Sequence, residues 1–121
     1  MGRGRGLGPA VRRGEVWLAD VGRKPRPVVV ITRNDVLEVR ANVTVAEITT
    51  QPRGLAVEVP INPDAGVDEP SVINCDGLHT VSQRRLTRRI GAVDDDVLDA
   101  ACAAIAAAVG CDGDEAETGP R

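Results

Sequence analysis

Apolar and polar side chains follow three kinds of spacing along this chain, and each spacing predicts a different element. In Glu15-Val16-Trp17-Leu18-Ala19-Asp20 the side chains alternate, with Val16 and Leu18 on one face and Trp17 on the other, as in a half-buried strand. Residues 28–32 form an unbroken β-branched run instead, which predicts a second strand buried on both faces and therefore central. Residues 33–40 make a connection with room for a short helical turn. A third strand is predicted over residues 42–49, stopped by Pro52 and Gly54. Residues 55–61 make a fourth, with Val57, Val59 and Ile61 facing together and Glu58 opposite. Beyond the breaker-rich loop 62–70, residues 71–75 and 86–90 predict a fifth and a sixth strand, connected through Asp76-Gly77-Leu78-His79-Thr80.

From Asp94 onward the spacing becomes helical. Asp94 is placed to cap, Asp95 and Asp96 sit at the positive end, and Val93 pairs with Leu98 as a hydrophobic staple. Leu98, Ala101, Cys102, Ile105 and Val109 recur as one apolar stripe, and Gly110 is the expected terminator. Cys102 on that stripe reads as packing, not as a catalytic thiol. Short strands followed by one helix, without alternating strand-helix units, predict a mainly β fold. It is expected to be a curled antiparallel sheet or small barrel with a C-terminal α-helix. The 121 residues suffice for one domain, at 13–110. A flexible Gly/Arg-rich arm at 1–12 and an acidic disordered tail at 111–121 are expected to flank it.

Composition narrows the function classes. The chain has no Phe or Tyr and Trp17 is its single aromatic residue, so Val, Ile and Leu must fill the interior. That argues against an RNA-binding sheet that works by stacking bases on aromatic rings. The net charge of -3 would be unusual for a protein that grips duplex DNA, but the charge is unevenly placed. Arg84, Arg85, Arg88 and Arg89 form a block; on a strand, alternate members would point in opposite directions. Three cysteines, Cys75, Cys102 and Cys111, match no zinc or redox spacing and fit a reducing compartment. Without a signal peptide or a run of 18 apolar residues, the expectation is a soluble cytoplasmic protein.

Candidate chemistry is sparse. Phosphate-cradling glycine motifs follow no predicted strand. His79 is the one histidine, too few for a metalloprotease helix or for two-histidine ribonuclease chemistry in one subunit. Ser71 and Ser82 lack the strand-turn-helix elbow of a serine hydrolase. What stands out is Lys24-Pro25-Arg26-Pro27, where two prolines restrict the backbone around one arginine. Arg26 is either an ordinary solvated strand start or a donor fork aimed at a phosphate or carboxylate. Thr49 likewise is either a β-branched strand residue with a local hydrogen bond or a group that orients a 2′-OH.

Read together, Arg13-Gly14-Glu15-Val16-Trp17, Arg26-Pro27-Val28-Val29-Val30-Ile31, Ile48-Thr49-Thr50-Gln51, Ser71-Val72-Ile73-Asn74-Cys75-Asp76 and Gln83-Arg84-Arg85-Leu86 resemble, in order, the MazF/PemK family of toxin endoribonucleases from type II toxin-antitoxin modules. The resemblance runs from about residue 12 to residue 110. It implies a small SH3-like barrel of the CcdB/MazF type and a homodimer. It also implies sequence-selective cleavage of single-stranded RNA without metal or cofactor, and neutralisation by a MazE-like antitoxin. Arg26 matches the family's catalytic arginine, which contacts the scissile phosphate and protonates the leaving oxygen. Thr49 matches its catalytic threonine, and the implied products carry 2′,3′-cyclic phosphate and 5′-OH ends. Gly14, Trp17 and Pro27 match structural positions. Asp76-Gly77-Leu78-His79 departs from the Glu-Gln followed by a basic residue of many relatives, which bears on base recognition more than on cleavage. Asp76, His79, Gln51 and Arg53 are the expected auxiliary or RNA-positioning groups, and loops 50–56 and 62–70 the expected base readers. Two alternatives stand beside this reading: a CcdB-like toxin that binds gyrase without catalysis, and a catalytically silent SH3-like RNA-binding module. The Arg26 and Thr49 pair favours the enzyme.

Overall fold

The structure, a computed structural model, describes residues 11–22, 24–54 and 57–110. Its strands follow the β-branched residues: β1 Glu15–Ala19, β2 Arg26–Val30, β3 Asn42–Thr49, β4 Glu58–Ile61, β5 Ser71–Ser82 and β6 Leu86–Ala92. A one-turn helix, α1, spans Asn34–Leu37, and the long helix, α2, spans Asp95–Ala108. The six strands form a single sheet in the order β4-β5-β3-β2-β1-β6, with every pair antiparallel.

The sheet carries a core on each face, and β2 serves both. Val29 joins Val16, Ala46, Ile48 and Ile73 in a core covered by α2 through Val97, Ala101, Ala104 and Ile105. Val28 and Val30 face the other way, into a second core with Trp17, Val43, Val45, Leu37 and Leu86. All three valines are fully buried, as an unbroken β-branched run predicts. Trp17 is buried, and its Nε1–H donates to Glu15 Oε1 at 3.0 Å, so the indole is a packing element with its one polar atom satisfied.

Several expectations need correction. The SH3-like barrel does not close: β4 and β6 are the two edges of an open sheet and share no ladder. β4 is four residues long and contains Pro60, which has no N–H to offer a second neighbour. The two edges meet instead at a seam between Gly66 and Gly91. A Cβ on Gly66 would fall 2.1 Å from the Ile90 carbonyl oxygen, and one on Gly91 would fall 2.0 Å from that of Ala65. Only glycine permits backbones to approach so closely.

The break predicted at residues 76–80 is a bulge. β5 runs continuously, but its register against β3 shifts between Ala46, opposite Leu78, and Glu47, opposite Asn74. The backbone inside the bulge is satisfied locally: Asp76 N–H donates to Asn74 Oδ1 at 3.1 Å and Cys75 N–H to the Val57 carbonyl at 2.9 Å. On α2, Ala101 and Ile105 face the core as expected, but Val109 is 59% exposed. Cys102 accepts a 2.8 Å hydrogen bond from Arg13 Nη2, which ties the chain start to the helix. The arm and tail lie outside the described residues except for Val11, which is buried, and Arg12. Among the described residues no helix is long and apolar enough to cross a membrane.

Candidate active site

β3 changes character along its length, and this change creates the site. Val43 and Val45 point into the second core, and the same face continues as Glu47 and Thr49. β2 does the reverse, starting at exposed Arg26 and continuing on that face as buried Val28 and Val30. The two strands pair with Val28 opposite Glu47, Val29 opposite Ala46 and Val30 opposite Val45. The same register, continued by two residues, sets Arg26 across from Thr49 on the same face. Opposed residues in an antiparallel pair have Cα atoms only about 4.5–5.5 Å apart. The ladder itself ends at Val28–Glu47, so its continuation brings toward each other two residues that lie 23 positions apart in sequence.

Each member of the pair is held by its backbone and free at its tip. Arg26 is exposed between Pro25 and Pro27, and its guanidinium has no ion-pair partner among the described residues. Thr49 Oγ1 accepts the Gln51 N–H at 3.1 Å, a turn that closes the strand and leaves the hydroxyl hydrogen to be donated elsewhere. Pro27 lies opposite Leu18 and faces away from Arg26. With Ile48, Thr50, Ser71 and Arg88 it lines a cleft of about 470 Å³ on the other side of the same sheet end.

Other predicted residues are distributed around this pair. His79 is opposite Val45, hence on the Arg26–Thr49 face, and its Nε2 lies 2.5 Å from Glu47 Oε2. Glu47 was not among the expected site residues. The signal was present: a carboxylate occupying a valine-stripe position of a central strand. Asp76 is exposed on the bulge. Gln51 and Arg53 lie just beyond β3, and the Arg53 N–H donates to both Glu58 carboxylate oxygens, at 3.1 and 2.9 Å, so its backbone is anchored. Gly14 is remote from the pair. Its N–H donates to the Val30 carbonyl at 2.8 Å, and its carbonyl accepts the Val93 N–H at 2.9 Å, joining β2 to the entry of α2.

The arginine block is divided. Arg84 and Arg85 lie in a 3-10 turn, Gln83–Arg85, and Arg85 Nη1 donates to the Asp20 carbonyl at 3.2 Å. Arg89 pairs with Glu15 at 2.9 Å, whereas Arg88 has no side-chain partner among the described residues and lines the cleft. Among the described residues no three His, Cys, Asp or Glu side chains converge to hold a metal ion.

The sequence profile of the PemK-like, MazF-like toxins of type II toxin-antitoxin systems matches residues 12–109. Endoribonuclease MazF3 of Mycobacterium tuberculosis is 48% identical over 68 residues, a stretch that covers 56% of this chain and 66% of that relative, just under two thirds of its length. Probable endoribonuclease MazF5 of the same species is 39% identical over 103 residues, covering 82% of this chain and 93% of the relative. The solved structure of the Mycobacterium tuberculosis toxin MazF-mt6 superposes with a TM-score of 0.76 at 40% identity, covering 81% of this chain and 98% of that one. With the profile spanning nearly all the described residues and both comparisons agreeing, the chain belongs to the family of PemK-like, MazF-like toxins of type II toxin-antitoxin systems.

Proposed function

We propose that the chain is the toxin of a toxin-antitoxin module and acts as a metal-independent, sequence-selective endoribonuclease on single-stranded RNA, with Arg26 and Thr49 as its catalytic residues. The observation that carries this reading is the β2–β3 register, which, continued two residues past Val28–Glu47, brings Arg26 toward Thr49 at one solvent-facing end of the sheet. Cleavage forms a bond between the ribose O2′ and phosphorus and breaks the bond from phosphorus to O5′. The crowded phosphorane between them gathers negative charge, and a planar guanidinium on a backbone restricted by its flanking prolines is suited to receive it. Thr49 Oγ1, already an acceptor from Gln51, has its hydrogen to donate to a phosphate oxygen or its lone pair to orient the 2′-OH. The products are a 2′,3′-cyclic phosphate and a 5′-OH, with the proton on O5′ supplied by Arg26. The physiological form is a homodimer held inactive by a MazE-like antitoxin.

Incubating the purified protein with long single-stranded RNA in EDTA, and mapping both ends of the fragments, tests the reading. Arg26→Ala and Thr49→Ala are each expected to lower kcat by about 10²–10³-fold, the usual effect of removing one transition-state donor. Intact RNA in the presence of wild-type protein, together with impaired DNA supercoiling by gyrase, would replace this reading with that of a binding toxin.

A further inference from the structure

The cleavage reaction needs a proton acceptor as well as a charge clamp. The 2′-OH must lose its proton as O2′ closes on phosphorus. A guanidinium enters the step fully protonated, with no lone pair to accept a hydrogen, and a threonine hydroxyl is not a base, so neither member of the Arg26–Thr49 pair takes the 2′-OH proton.

We propose that His79 is the general base for the 2′-OH and that Glu47 is its positioning residue, an inference that rests on the endoribonuclease reading above. His79 is the only histidine of the chain. It stands opposite Val45 on β5, which puts its ring on the face that carries Arg26 and Thr49. Glu47 lies two residues before Thr49 on the same strand, so the two share a face at a spacing of about 6–7 Å. The imidazole and carboxylate are joined at 2.5 Å through Nε2 and Oε2.

That contact assigns the ring's roles. A carboxylate only accepts, so in the neutral ring the hydrogen sits on Nε2 and the lone pair on Nδ1. Nδ1 has no hydrogen-bond partner among the described residues. A histidine tethered at one nitrogen and open at the other is the arrangement of a general base with its orienting group. The side chains are 41% and 30% exposed, so as an ion pair they would add little to stability. The β5 bulge sits beside them, between Asn74 and Leu78, and bulges re-aim side chains next to active sites.

The step balances as follows. Nδ1 takes the 2′-OH proton, O2′ bonds to phosphorus, and O5′ departs with a proton from Arg26. The resulting imidazolium is stabilised by Glu47, and both groups return to their starting states by exchange with water.

Steady-state and chemical-rescue kinetics on the full chain test the inference. His79→Ala is expected to lower kcat by about 10²–10⁴-fold with KM changed only a few-fold, the size of a general-base effect. Added imidazole is expected to restore at least tenfold of that loss, a recovery no structural role would give. An RNA whose scissile O5′ is replaced by sulfur needs no leaving-group acid, and His79→Ala is expected to remain slow on it. Glu47→Gln is expected to lower kcat by about 10–100-fold, as loss of an orienting partner does elsewhere. His79→Gln, with thermal unfolding of each variant, provides a second folded comparison. Should wild type cleave and Arg26→Ala fail while the folded His79 variants keep kcat within about threefold, the dyad is overturned and the endoribonuclease reading stands. Full recovery of His79→Ala on the sulfur substrate would likewise overturn the base assignment. Inactive wild type would overturn both.

Discussion

At the scale of single residues, Glu47 and Cys75 show how a side chain is defined by what surrounds it. Glu47 follows Val43 and Val45 on one face of β3, where a third apolar residue would extend the core, and its charge marks where that face becomes a site. Cys75 is the opposite case. It lies in the core under Ala101, and its thiol is pushed up to about 11, first by burial and second by the nearby Cys102. The sign of the consequence is definite. Unfolded chains release the Cys75 proton near 9.0 while the native state keeps it to about 11, so the unfolded state binds fewer protons between those values. Stability is complete below pH 9 and falls as pH rises toward 11, by about 2–3 kcal/mol in all. No tyrosine titrates in this window, and the one lysine, Lys24, is exposed. Urea unfolding under reducing conditions at pH 8 to 11 should show this slope in the wild type and a flatter one in Cys75→Ala. Equal slopes would mean that Cys75 ionises alike in both states.

At the scale of elements, local signals succeeded where local physics decides. Asp94 caps α2 as its sequence position suggests, its Oδ1 accepting the Val97 N–H at 2.9 Å, with Asp95 and Asp96 in the first turn. Asp94→Ala should therefore cost about 1 kcal/mol, read as a fall in Tm of about 4–8 °C for a domain of this size. The valine run of β2 was equally legible, since consecutive β-branched residues have few alternatives to a central strand. What stayed hidden depends on partners far away in sequence. Asp76-Gly77 looks like a strand break, yet Cys75 N–H bonds the Val57 carbonyl and Leu78 rejoins β3 opposite Ala46, so β5 continues across it. The helix stripe was misjudged at Val109 because spacing alone cannot say where the sheet ends beneath α2. Within the site, Arg26 and Thr49 were each legible as candidates, but their approach to each other is a property of the β2–β3 register, and no local pattern encodes it. His79 could be singled out as the only histidine; its carboxylate partner could not.

At the scale of the whole molecule, the open sheet raises the question of what keeps its two edges together. A closed barrel would use a ladder of hydrogen bonds, and here the edge strands β4 and β6 have none between them. The turn after β4 lies directly on β6 instead, with Gly66 and Gly91 facing each other backbone to backbone. That contact joins the ends of the sheet on the side covered by α2, where Ala65, Val67 and Ile90 belong to the same core as Ala101. A methyl group at position 91 would sit 2.0 Å from the Ala65 carbonyl oxygen, and backbone cannot yield as a flexible side chain does, so the seam must open. Gly91→Ala should therefore destabilise the fold by about 2–3 kcal/mol, the cost of overpacking a close contact. Gly54→Ala is the informative comparison: among the described residues nothing lies within 4 Å of its added Cβ, and its φ of +74° adds left-handed backbone strain of about 1 kcal/mol. Denaturant unfolding of both variants separates the two mechanisms. A larger loss in Gly91→Ala identifies the seam as a global constraint on the sheet, whereas equal losses would show that the edges part without cost.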